Sequence, residues 1–88
     1  MYSEEVVIQN ELGLHARPAA LFTRTAARFQ AEVYVNKDGT QINGKSILGV
    51  MMLAAFQGTK LVIQAEGADE RAAVEALVEL VNGKFGES

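Results

Sequence analysis

The chain has 88 residues, 49% hydrophobic and 22% charged, which is the size and composition of one small globular domain with a modest core. The absence of cysteine excludes thiolate sites, no apolar run is near the length of a membrane span, and the net charge of −3 argues against nucleic-acid binding. The first five residues contain two glutamates and no basic residue, whereas a signal peptide begins with basic residues, so we expect a cytoplasmic protein. We expect a single domain over residues 1–88.

The chain begins with a strand that leads through a loop into a helix. Residues 4–9 alternate, with Val6 and Ile8 on one side, and predict the strand. Residues 18–29 predict an amphipathic helix, and Pro18 fits its first turn because a missing N–H costs nothing there. The apolar side of this helix consists of Ala19, Phe22, Ala26 and Phe29.

A hairpin follows the first helix. Residues 31–36 alternate cleanly between apolar and polar side chains and predict a strand. Asp38-Gly39 is a strong signal for a two-residue hairpin turn, and residues 40–43 supply the short returning strand.

The second helix is apolar on nearly every side. Ser46 suits its N-cap, and we expect the helix to cover residues 47–55 and to end at Gly58. Only one side of so short a helix can pack on a sheet, and we assign Val50 and Leu53 to that side. The other large apolar residues are expected to face water or a partner, and they are Ile47, Leu48, Met51 and Met52.

The last part of the chain predicts a strand and a helix. Residues 60–66 alternate, Asp69 suits an N-cap, and residues 70–82 carry an apolar stripe that ends before Gly83. The order of elements is therefore β-α-β-β-α-β-α. This order predicts an α+β fold with one four-stranded antiparallel sheet and three helices on one face.

The only histidine, His15, lies where the first loop meets its helix. Unpaired N–H groups and partial positive charge at a helix start favour an anion such as phosphate. Arg17 adds a full charge whose planar fork suits phosphate oxygens. These residues predict that a neutral nitrogen of His15 attacks a phosphoryl group while Arg17 stabilises the transition state. The sequence does not say which ring nitrogen attacks.

Other interpretations of these residues stay open. His15 can simply cap its helix, whereas a lone histidine makes a poor metal site and no serine or cysteine is placed for a triad. Arg24 and Arg28 suit ordinary surface charges, and Leu21, which shares their helix face, is expected outside the core. We expect no metal and no cofactor. Ser46 would tolerate phosphorylation, because a helix N-terminus stabilises a phosphate.

Two segments resemble one known family. Gly13-Leu14-His15-Ala16-Arg17-Pro18-Ala19 is similar to the phosphorylation-site signature of HPr, the histidine-containing phosphocarrier of the phosphoenolpyruvate-dependent sugar phosphotransferase system. Lys45-Ser46-Ile47-Leu48-Gly49-Val50-Met51 is similar to that family's regulatory serine segment. The resemblance covers essentially the whole chain and implies the family's open-faced β-sandwich.

The resemblance also implies roles and partners. His15 would accept a phosphoryl group from enzyme I and pass it to sugar-specific IIA proteins, with Arg17 assisting and Pro18 shaping the helix start. Ser46 aligns with the serine that HPr kinase/phosphorylase modifies in many bacteria, where the product can assist a catabolite-control transcription factor. The expected partner-docking residues are Leu21, Arg24, Ile47, Leu48, Met51 and Met52.

The expected protein is a monomeric carrier with a phosphohistidine intermediate rather than an independent enzyme. It would bind its partners in solution, without nucleic acid and without insertion into a membrane. The alternative is a regulatory binding module, nitrogen-related or acting in catabolite control, that works mainly through protein contacts. The C-terminal residues 81–86 are similar to members outside the sugar-uptake branch and keep this alternative open.

Overall fold

Four strands form one antiparallel sheet in the computed structural model, which describes residues 1–87. In chain order the strands are β1 (Tyr2–Val7), β2 (Glu32–Lys37), β3 (Thr40–Asn43) and β4 (Lys60–Glu66). Across the sheet their order is β1-β4-β2-β3, with β1 and β3 at the edges. The registers Val6 opposite Leu61 and Val35 opposite Ile63 keep the apolar side chains of neighbouring strands on the same face.

Three helices and a short C-terminal turn complete the fold. They are α1 (Ala16–Ala27), α2 (Ile47–Met52), α3 (Glu70–Asn82) and a 3-10 turn over Lys84–Gly86. The helices pack on the apolar face of the sheet and leave the other face open, so the predicted α+β open-faced sandwich is confirmed. The helical side chains in this core are Ala19, Phe22, Ala26, Val50, Ala73, Val74, Leu77 and Val81.

The hairpin between β2 and β3 is the one that the sequence predicts. Asp38 and Gly39 have φ angles of +48° and +85°, so both central residues of the turn are left-handed. Such a turn matches the right-handed twist of its two strands, and it joins the pair Lys37 and Thr40.

Some element bounds differ from the predicted ones by one or two residues. Strand β1 begins and ends two residues earlier than expected, and β2 begins and ends one residue later. Helix α1 begins at Ala16 rather than Pro18 and ends at Ala27, which leaves Phe29 beyond the helix but packed against the core. Leu21, expected outside the core, is partly buried and packs against it.

The predicted end of α2 is wrong. The helix stops at Met52, not at the end of residues 47–55, and Gly58 does not cap it. The ammonium group of Lys37 donates a hydrogen bond of 2.8 Å to the carbonyl oxygen of Leu53, which satisfies a carbonyl at the helix end. The next residue has φ +49°, a left-handed conformation typical of a helix C-terminus. The helix therefore ends at a left-handed residue, and a contact from β2 satisfies a carbonyl at its end.

Asp69 occupies the predicted N-cap position of α3, but its side chain does not cap that helix. Its two carboxylate oxygens accept hydrogen bonds from the backbone N–H groups of Gln30 at 2.9 Å and Ala31 at 2.8 Å. The carboxylate thus fixes the segment between α1 and β2. Glu70 instead accepts a hydrogen bond from the N–H of Gly67 at the start of α3.

Residues 1–87 contain neither a membrane-spanning helix nor a cluster of metal-binding side chains. None of the helices there has the length and apolarity needed to cross a bilayer. The same part of the chain contains no group of three or more His, Asp or Glu side chains that could hold a metal ion.

Candidate functional site

His15 is the N-cap residue of α1. Its backbone is extended, with φ −77° and ψ −174°, and its carbonyl oxygen accepts the first hydrogen bond of the helix from the N–H of Ala19 at 3.0 Å. Its ring makes no capping hydrogen bond and is 37% exposed. The interpretation of His15 as a simple side-chain cap is therefore wrong.

The first turn of α1 leaves its backbone donors open. Within residues 1–87, the N–H groups of Ala16 and Arg17 have no hydrogen-bond acceptor, and Pro18 has no N–H to satisfy. The turn contains no acidic residue. Because unpaired N–H groups carry the positive end of the helix dipole, this end of α1 is a favourable place for an anion.

Arg17 adds a full positive charge at the same place. Its side chain is exposed and forms no ion pair in the part of the chain that the structure describes. An arginine at a helix start is unfavourable for the dipole unless an anion is also present. The guanidinium is therefore available to a phosphoryl group that approaches the ring of His15.

The side-chain carboxylate of Glu87 completes the site. Oε1 of Glu87 lies 2.9 Å from Nε2 of His15 and 2.9 Å from Nδ2 of Asn10. Asn10 is fully buried, and its Nδ2 also donates to the carbonyl oxygen of Gly13 at 2.8 Å. The bonds to His15 and then to Asn10 hold the pKa of Glu87 below its usual value, with Arg17 adding a smaller effect in the same direction.

Sequence reasoning missed both Asn10 and Glu87. Asn10 lies in a segment predicted only as a loop, and Glu87 is 72 residues away from His15 along the chain. No periodicity or motif connects positions so far apart, because a pairing of this kind depends on where α3 delivers the C-terminus.

The loop that precedes His15 is held against the segment that follows α2. The N–H of Leu14 donates to the carbonyl oxygen of Ala55 at 2.9 Å. Gly13 has φ +68°, and a Cβ atom at this position would overlap the same carbonyl group. A side chain here would push the loop away, so the glycine of the phosphorylation-site segment has a steric reason as well as a conformational one.

Ser46 is the N-cap of α2, as predicted. Its Oγ accepts a hydrogen bond of 3.1 Å from the N–H of Gly49, while the hydroxyl proton stays free to donate. The side chain is partly exposed. The hydroxyl group is thus a structural cap that remains at the surface.

The side of α2 that faces away from the sheet is apolar and exposed. Leu48 and Met52 are 71% and 79% exposed, and Ile47 and Met51 are exposed to a smaller degree. Val50 and Leu53 are buried, which confirms the predicted division of the helix.

Helices α1 and α2 are in contact, so the predicted site residues come from two neighbouring elements. Arg24 is exposed on α1, and Leu21 is half-buried on the same helix. These two residues and the four exposed ones of α2 (Ile47, Leu48, Met51 and Met52) are called the α1–α2 surface below.

Comparisons with known proteins match nearly the whole chain. A family model described as the PTS HPr component phosphorylation site matches residues 2–83. The chain is 51% identical over 87 residues to phosphocarrier protein HPr of Neisseria meningitidis, covering 99% of this chain and 98% of that relative. It is 44% identical over 81 residues to the HPr-like protein Crh of Bacillus subtilis, covering 92% and 95%. A crystal structure of HPr from Thermoanaerobacter tengcongensis superposes with a TM-score of 0.96 at 48% identity, covering 100% of this chain and 99% of that chain.

Proposed function

Because the chain belongs to the HPr family of phosphotransferase-system phosphocarriers, we propose that His15 accepts a phosphoryl group from phosphorylated enzyme I and passes it to sugar-specific IIA proteins. In this proposal the protein is a one-domain monomeric carrier of the cytoplasm. The observation that carries it is the placement of a half-exposed histidine ring at a helix start where, within residues 1–87, two N–H groups have no acceptor and Arg17 makes no ion pair.

The hydrogen bond to Glu87 selects the reacting nitrogen. A carboxylate accepts hydrogen bonds, so Nε2 of a neutral His15 ring carries the proton and the lone pair lies on Nδ1. Nδ1 attacks phosphorus as the bond between phosphorus and the donor residue of enzyme I breaks, and the electron pair of that bond returns to the donor. Arg17 and the N–H groups of the first turn of α1 stabilise the phosphoryl oxygens during transfer.

The α1–α2 surface supports a docking role. Its exposed leucine and methionines can adapt to more than one partner, which a carrier between enzyme I and several IIA proteins requires. Arg17 and Arg24 are exposed on α1, the helix that contacts α2, so the fitting partner carries acidic groups next to an apolar patch.

Ser46 supports a regulatory role within the same proposal. Its partly exposed hydroxyl lies at the start of the helix that carries the proposed docking residues, so a phosphate there would oppose an acidic partner. The proposed modifying enzyme is an HPr kinase/phosphorylase. A catabolite-control transcription factor is the proposed reader of the modified form.

A second candidate is a regulatory module that acts through protein contacts alone, in catabolite control or in a nitrogen-related system. The likeness to Crh favours it, since this chain is 44% identical to that HPr-like protein. In this candidate, His15 phosphorylation is a switch and the phosphoryl group does not move on.

Labelled phosphoenolpyruvate, a catalytic amount of enzyme I and a IIA acceptor test the carrier proposal. Label is expected on the wild-type chain, lost in acid and stable in alkali as a phosphoramidate is, and absent from His15→Ala. It should reach the IIA protein with many turnovers per carrier molecule. Label that stays on His15 without moving on would favour the regulatory module, and an acid-stable, alkali-labile label would indicate a serine ester.

The docking role has its own test. Leu48→Glu places a negative charge on the α1–α2 surface, where it would repel an acidic partner, and is expected to slow transfer from enzyme I at least tenfold. Val7→Glu is the matched control, because it makes the same class of change at an exposed apolar residue of β1, away from α1 and α2. Equal rates for the two variants would contradict docking through α2.

A further inference from the structure

The C-terminal segment after α3 is anchored so that its last described residue reaches His15. Phe85 is 3% exposed and belongs to the core, although it lies beyond the last helix. Lys84 and Phe85 have φ angles of +57° and +54°, a left-handed conformation that costs energy in residues other than glycine. Burial of the aromatic ring offsets this cost, and the sharp turn directs Glu87 toward the loop before α1.

Asn10 fixes the carboxylate of Glu87 from the other side. The Nδ2 group of Asn10 donates to Glu87 and to the Gly13 carbonyl, whereas its buried Oδ1 has no partner within residues 1–87. If the amide were reversed, its oxygen would face a carboxylate and a carbonyl, and both contacts would be repulsive. The orientation of Asn10 is therefore set by the two acceptors, at the expense of one unpaired oxygen.

We propose that Glu87 is a positioning residue that acts through Nε2 of His15 before and after phosphoryl transfer. Before transfer it holds the Nε2 proton, so that Nδ1 presents its lone pair. After Nδ1 has formed its bond to phosphorus, the ring is cationic, and the carboxylate 2.9 Å from Nε2 stabilises that cation. This inference rests on the proposed function of His15 as phosphoryl acceptor.

The carboxylate also keeps the phosphoryl group easy to release. When the P–Nδ1 bond breaks, its electron pair returns to the ring, and a ring that still holds its Nε2 proton leaves as neutral imidazole. A ring that has lost this proton would leave as an anion, which is much less favourable. No proton is gained or lost in either direction, because it stays between Nε2 and Glu87 throughout.

Hydrolysis of phosphorylated His15 as a function of pH tests the inference without enzyme I. Phosphoramidate, a small chemical donor, phosphorylates the wild-type chain, Glu87→Gln and Glu79→Gln, and phosphorus NMR follows the loss of the phosphoryl group between about pH 6 and pH 10. Glu79→Gln is the matched control, since Glu79 is an exposed carboxylate of α3 that makes the same charge change. Arg17, the other charged group that acts on Glu87, is present in all three proteins.

The expected result is a shift in the high-pH limb of the hydrolysis profile. Hydrolysis slows at high pH when the ring loses its Nε2 proton, and in Glu87→Gln this slowing should move about one pH unit lower. The Glu79→Gln profile should coincide with the wild-type profile. A Glu87→Gln profile that also coincides with the wild type would overturn the inference, as would phosphorylation of wild-type His15 on Nε2.

The outcome separates this inference from the proposed function. A shifted profile in a chain that enzyme I does not phosphorylate would support the role of Glu87 and contradict the carrier proposal. An unshifted profile in a chain that transfers label normally would do the reverse. For the transfer reaction itself, Glu87→Gln is expected to lower the rate about tenfold, whereas Glu79→Gln should leave it unchanged.

Discussion

The starts of α1 and α2 differ in whether the N-cap side chain satisfies an N–H group of the first turn. At α2, the Ser46 side chain accepts the N–H of Gly49 and satisfies one of the open donors of its own helix. At α1, His15 has the same N-cap position and a similar extended backbone, but its ring turns away to Glu87 and leaves the donors of the first turn open. One helix start is closed by its own sequence, and the other is left available to an anion.

This difference teaches that the N-cap position alone does not make a cap: the side chain satisfies a donor of its helix only where no distant partner takes it, as Glu87 takes the ring of His15. A capped start gains stability at once, typically about 1 kcal/mol. An uncapped start gives up that stability and keeps its N–H groups available to an anion. The variants below are expected to affect transfer at α1 and stability at α2.

The largest expected effect is on transfer at the open start. Arg17→Ala should slow phosphorylation of His15 by enzyme I about a hundredfold, because it removes the full charge beside the transferring group. Arg28→Ala, at the other end of α1, should change the rate less than twofold. Quench-flow measurement with labelled donor checks both, and similar rates for the two variants would mean that Arg17 is an ordinary surface charge.

The next effect tests whether a negative charge at the start of α2 slows the reaction with enzyme I. Asp and Asn are both good N-caps, so Ser46→Asp and Ser46→Asn should keep the helix while differing by one charge. We expect Ser46→Asp to slow the enzyme I reaction about tenfold and Ser46→Asn to leave it near the wild-type rate. The same assay measures both, and equal rates would count against regulation through this residue.

A stability measurement then compares the two caps directly. Ser46→Ala should lower the free energy of unfolding by about 1 kcal/mol, because the N–H of Gly49 loses its partner. His15→Ala should lower it by less, because the ring caps nothing and loses only its partly exposed hydrogen bond to Glu87. Urea unfolding followed by circular dichroism gives both values. If His15→Ala proves the more destabilising, His15 is chiefly a structural residue and the contrast between the two starts fails.

The smallest effect concerns the start of α3, where the N-cap side chain bonds to a distant segment. The hydrogen bonds from the N–H groups of Gln30 and Ala31 hold the pKa of Asp69 below its usual value. A lowered folded-state pKa stabilises the protein above the unfolded-state pKa, and this stabilisation is lost as the pH falls through the folded-state value.

Asp69→Asn should therefore be less stable than the wild type at pH 7, and the difference should shrink between about pH 5 and pH 2. Thermal unfolding across this range measures the difference, with Asp38→Asn in the exposed hairpin turn as the control. A difference that does not change with pH would mean that the ionised form of Asp69 contributes nothing special.

The sequence predicted the local features well because local interactions produce them. The bounds of β3, β4 and α3 match the predicted ones, since strict alternation and turn or helix-ending residues mark them. The cap at Ser46 and the exposed side of α2 follow in the same way from residues within one turn of each other.

The errors arise where distant contacts decide. Helix α2 ends early at the left-handed Ala54, where Lys37 of β2 bonds the carbonyl of Leu53, and no residue pattern within the helix predicts that contact. Asp69 has the residue type and position of an N-cap, but the backbone N–H groups of Gln30 and Ala31 compete for its carboxylate. A propensity describes what a residue can do locally, whereas packing determines which of its partners it meets.

The sequence by itself determined the order of the elements, the helix start that carries His15 and Arg17, and the apolar side of α2. It could do so because hydrophobic period, turn residues and helix-start chemistry are set by neighbouring residues. Only the tertiary structure decided that Nε2 of His15 faces the carboxylate of Glu87. That choice depends on the buried ring of Phe85, which anchors the C-terminus beside a loop that lies at the other end of the chain.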